Sequence, residues 1–114
     1  MKQYITTVIA LFLSIVMFAQ TTAIQVETSG KAQPVFLLPG FTCPGAVWDE
    51  TVSRLKGDHQ FLQVSYAGFG GQAPIETPWY ESIKKELMGY ITSHKLSAVT
   101  IIGHSMGGTL ALDL

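Results

Sequence analysis

Residues 98–108 read AVTIIGHSMGG: a β-branched apolar run stops at a glycine, and a serine follows among small residues. The run suits a buried strand, and the apolar spacing after it suits a helix over roughly 106–114. A serine on so tight a strand-to-helix turn is held in strained backbone geometry, which projects its hydroxyl clear of the sheet. Its neighbours must be nearly free of side chains, or strand and helix collide. Gly103 and Gly107 meet that need in the pattern G-x-S-x-G, and Gly108 extends it. Ser105 then stands at a helix N-terminus, whose free N–H groups favour developing negative charge, the N–H of Met106 among them. The pattern by itself is weak, since glycine and serine are common in turns; the strand before it and the helix after it give it weight.

Working outward, VFLL (35–38) is a continuous apolar run stopped by Pro39-Gly40, as expected of a strand buried on both faces. AVWDETVSRL (46–55) places Val47, Trp48, Thr51, Val52 and Leu55 at helical spacing, with acids early and Arg54 late. QFLQVSY (60–66) is a second strand candidate, followed by the Gly- and Pro-rich AGFGGQAPIETP (67–78). From Trp79 the pattern is helical, with Tyr80, Ile83, Leu87, Met88 and Ile91 on one face. Strand and helix alternate three times, which predicts an α/β fold: a parallel sheet with flanking helices. Ligands bind such sheets at the carboxyl ends of the strands, where the Pro39-Gly40 turn and the serine turn both fall.

Three stretches resemble the α/β-hydrolase superfamily. GHSMGG (103–108) looks like its nucleophile elbow, VFLLPGFTCPGAVWDE (35–50) like its oxyanion turn and first helix, and SYAGFGGQAPI (65–75) like its loop after the next strand. The resemblance spans about residues 34–114 and implies an esterase- or lipase-like serine hydrolase. Ser105 would be the nucleophile, and the N–H groups of Phe41 and Met106 would form the oxyanion hole. A small-molecule ester or other acyl compound would be the substrate, and no cofactor or metal is expected. The chain departs from the pattern at Pro39, where many members carry histidine; proline donates no backbone hydrogen bond, but the donor required is Phe41.

The family places an acid and then a histidine after the serine. Here no histidine follows Ser105, and the one acid, Asp113, lies about 12 Å further along the helix axis. His104 points away from the serine oxygen, and His59 and His94 belong at the amino ends of the strands. The chain therefore reads as the N-terminal portion of an α/β-hydrolase fold with the C-terminal strands missing, and the fragment itself is expected to be inactive. Two other readings stay open: an exported non-enzymatic binding domain on the same scaffold, and a thioesterase- or acyltransferase-like member.

Residues 1–23 read as an export signal, with Lys2 before an apolar run and cleavage after Ala19 or Ala23. The alternative is a membrane anchor formed by residues 5–18, which is short for a bilayer. Export to the periplasm or medium is expected, with no stable membrane insertion once the signal is removed. Residues 24–33 read as a linker or edge segment, leaving 34–114 as the partial domain. A formal net charge of −1 argues against a nucleic-acid partner, which needs a basic field. Gly68 to Ala73 fits G-x-G-x-x-A, but Pro74 and Pro78 deny it the helix that would hold a dinucleotide phosphate. Cys43 has no evident base beside it and reads as a small packing residue.

Overall fold

The computed structural model describes residues 22–55 and 57–114. Along the chain run β1 (Ile24–Gly30), β2 (Gln33–Leu38), a 3-10 turn (Gly45–Trp48), α1 (Asp49–Arg54), β3 (His59–Tyr66), α2 (Trp79–Ser93), β4 (Thr100–Gly103) and α3 (Met106–Asp113). The strands form one sheet in the order β1-β3-β2-β4. The three strands expected from the apolar runs pair in parallel, β2 lying between β3 and β4.

Residues 24–33 are not a linker. Ile24–Gly30 form an edge strand antiparallel to β3, from Ile24 opposite Tyr66 to Gly30 opposite Gln60, which makes the sheet mixed. The physical reason is modest: Ile24 is buried and Val26 half-buried on the inner face, while the intervening residues face water. Most of the expected signal segment, residues 1–21, lies outside the described residues. Among the described residues no helix is long and apolar enough to cross a membrane.

Alternation along the strands separates two apolar layers. Phe36, Leu38, Leu62, Val64 and Tyr66 pack with Ile83 and Leu87 of α2 and Leu110 of α3. Each such fully buried side chain is worth about 2 kcal/mol relative to exposure. On the opposite face Val35, Leu37 and Phe61 meet Trp48 and Val52. Met88, expected on the buried face of α2, is exposed; Tyr90 takes part instead, its ring edge-on to Phe36 at 5.8 Å. The helix expected over 46–55 is divided, because Val47 N–H bonds the Pro44 carbonyl in a 3-10 turn before α1 begins at Asp49.

Candidate active site

Leu38 and Gly103 are register partners at the carboxyl ends of β2 and β4, so two turns leave the sheet side by side. The N–H of His104 donates to the Leu38 carbonyl at 3.0 Å, extending the pairing one residue into the turn. Ser105 follows at φ 55°, ψ −120°, backbone that a side chain disfavours by about 1–3 kcal/mol. It is exposed, and α3 begins at the next residue. The glycines on either side have no room for a side chain. A Cβ on Gly103 would overlap the Gly107 carbonyl and the Gly108 nitrogen, and one on Gly107 would overlap the Leu38 carbonyl and lie 2.6 Å from that of Pro39. The helix can start directly over the end of β2 because these positions are bare.

The second turn, Pro39 to Cys43, closes with Cys43 N–H donating to the Gly40 carbonyl at 3.2 Å and with Thr42 at φ 64°. It lies against the first: a Cβ on Gly40 would sit 3.4 Å from Ser105 Cβ and 3.2 Å from His104 Nδ1. Three side chains of β3 hold this loop. Tyr66 Oη donates to the Pro39 carbonyl at 3.0 Å. Ser65 Oγ accepts from Gly45 N–H at 2.8 Å, and Gln63 Nε2 donates to the Gly45 carbonyl at 3.1 Å and to Asp49 Oδ1 at 2.8 Å. Burial, reinforced by the neighbouring Tyr80, pushes the Tyr66 hydroxyl far above the usual phenol range, so it remains a donor at any physiological pH. Nothing in the sequence reading singled out these three residues. The available signal was two polar residues, Gln63 and Ser65, two apart in an otherwise apolar central strand.

The loop after β3 completes the rim. Phe69 packs edge-on to Phe41 at 5.1 Å and against Trp79 at 5.2 Å. Trp79 Nε1 donates to the Ala67 carbonyl at 2.8 Å. A Cβ on Gly70 would overlap Pro44, so this loop presses directly on the Pro39–Cys43 turn. No helix opens within Gly68–Ala73; the next one starts at Trp79. Phe41, 64% exposed, lies at the mouth.

Among the described residues neither the N–H of Phe41 nor that of Met106 has an intramolecular acceptor, and Ser105 Oγ has no hydrogen-bond partner. The histidines are placed elsewhere. His59 opens β3 opposite Gln33, at the amino end of the sheet, with its ring stacked on Phe61. His94 caps α2 and stacks on Tyr90 at 3.8 Å. His104 lies over Gly40 with no hydrogen bond to Ser105 among the described residues. Asp113 is engaged by Lys84 Nζ at 2.8 Å, and that lysine holds its carboxyl below the usual carboxylate range. Among the described residues no three His, Cys, Asp or Glu side chains gather as metal ligands.

Comparison with known proteins agrees with this geometry. The sequence pattern of the alpha/beta hydrolase family matches residues 35–114. A pimeloyl-[acyl-carrier protein] methyl ester esterase of Vibrio vulnificus is 29% identical over 94 residues, covering 82% of this chain and 35% of that protein. Among solved structures, an esterase from Exiguobacterium antarcticum superposes with a TM-score of 0.72 at 32% identity, covering 79% of this chain and 34% of the other. A bromoperoxidase from Bacillus anthracis superposes with a TM-score of 0.68 at 27% identity, covering 79% and 33%. The chain thus spans about a third of the length of the relatives it matches.

Proposed function

The chain belongs to the alpha/beta hydrolase family, and on that premise we propose that it carries the nucleophile and oxyanion half of a serine hydrolase acting on carboxylic esters. The observation that supports this best is the exposed Ser105 at φ 55°, seated beside the buried Gly40 and flanked by two amides without acceptors. Ser105 Oγ adds to the acyl carbon as its proton passes to a general base. The carbonyl oxygen becomes an oxyanion that the N–H groups of Phe41 and Met106 receive, each worth about 10²–10³ in rate. The alcohol leaves with a proton, and water then cleaves the acyl-Ser105 ester to acid and free enzyme. His59, His94 and His104 do not reach Ser105, so the base comes from outside the described residues.

The ester class follows from the matched relatives, whose names denote esterases. The bromoperoxidase neighbour marks the limit of that step, since one scaffold hosts several chemistries. Export is part of the same proposal and rests on residues 1–23.

Labelling with a fluorophosphonate probe tests it. The protein made from its complete reading frame is expected to label at Ser105 and to lose the label in Ser105→Ala, while residues 1–114 alone label weakly. Strong, saturable labelling of residues 1–114 would show that a base is present within them. A label that survives Ser105→Ala overturns the assignment of the nucleophile.

A further inference from the structure

Ala23, just before β1, is a core residue. Its side chain is 1% exposed and shares a cluster with Ile24, Leu62 and Leu87. Its carbonyl accepts from the N–H of the buried Ala67 at 2.8 Å. Its own N–H donates to Glu86 Oε1 at 2.8 Å, and the next N–H, of Ile24, donates to Oε2 of the same carboxylate at 3.2 Å. One α2 side chain thus gathers two successive main-chain donors at the entrance to the sheet.

We propose that processing of the export signal hydrolyses the Ala19–Gln20 bond and leaves residues 20–23 on the domain. The inference rests on the export reading, under which Ala19 and Ala23 both offer the small residue that cleavage needs. Water adds across the bond, leaving a carboxylate on Ala19 and an α-ammonium on Gln20. Cleavage after Ala23 would remove a buried side chain and take from Ala67 N–H its acceptor inside the core. The ammonium created on Ile24 would gain Glu86 as a counter-ion, but at this edge of the fold such a pair returns little. The two cleavage sites are equivalent as sequence and unequal as structure, because one leaves the domain whole.

The test is the mass of the exported protein, expressed from residue 1 in a secretion-competent host. The expected product starts at Gln20, either as the free amine or after ring closure onto its own side-chain amide with loss of ammonia. A product starting at Ile24 overturns the choice of site while leaving export intact; a product still starting at Met1 overturns the export reading and the proposal with it. Ala19→Leu is expected to accumulate the uncut precursor. Normal processing of that variant to an Ile24 start would likewise overturn the proposal.

Discussion

The two turns that meet at Ser105 are built on opposite principles. The turn after β4 is held by what is missing: Gly103 and Gly107 lie so close to neighbouring backbone that no side chain fits. The turn after β2 is held by what has been added, since Tyr66, Ser65 and Gln63 reach across from β3 to fix both its ends. Steric support is written in adjacent residues and tolerates no substitution. Polar support comes from a distant strand and can be weakened one bond at a time.

That contrast sets an order of effects. Gly107→Ala drives a Cβ into the Leu38 and Pro39 carbonyls and is expected to cost about 3 kcal/mol. The midpoint of urea unfolding measures it, and fluorophosphonate labelling is expected to disappear with it; a silent Gly107→Ala would remove the steric account of this turn. Tyr66→Phe leaves the buried Pro39 carbonyl without its donor, for about 2 kcal/mol by the same unfolding measurement. Its labelling rate is expected to fall while the turn after β4 stays folded.

Smaller effects sharpen the comparison. Ser105→Gly abolishes labelling yet is expected to raise stability by about 1 kcal/mol, because glycine accepts φ 55° without strain. Equal or lower stability would mean that the serine is not strained. The least effect is expected at the exposed Lys84–Asp113 pair, which ties α2 to α3 away from both turns. The Asp113 carboxyl is lowered, first by its hydrogen bond to Lys84 and then by that charge. Its contribution is therefore complete above the ordinary carboxylate pKa and disappears as pH falls through the depressed folded value. Lys84→Met should lower Tm slightly at neutral pH and not at all in strong acid, with labelling unchanged.

The same division decides what the sequence discloses. The serine turn was legible because glycine spacing, a β-branched run and a helical pattern are all local signals, and β2, β3 and β4 emerged for the same reason. The Tyr66, Ser65 and Gln63 bonds were not legible: each side chain acts on a carbonyl or amide many residues away, a relation that pairing creates and periodicity does not encode. β1 escaped because its pattern has two apolar positions, Ile24 and Val26, and the rest of its stability is borrowed from β3. Met88 misled because helical spacing locates a face to within one residue, and Tyr90 filled the place assigned to it.

The pairing of Leu38 with Gly103 also limits how this molecule can change length. A residue inserted in β2 or β4 would turn every side chain beyond it to the wrong layer and carry its turn about 3.3 Å along the ladder, parting hydroxyl from amides. Growth and deletion are confined to the segments between strands, such as residues 67–78, so homologous chains should differ there in length and agree in the count of residues along these two strands.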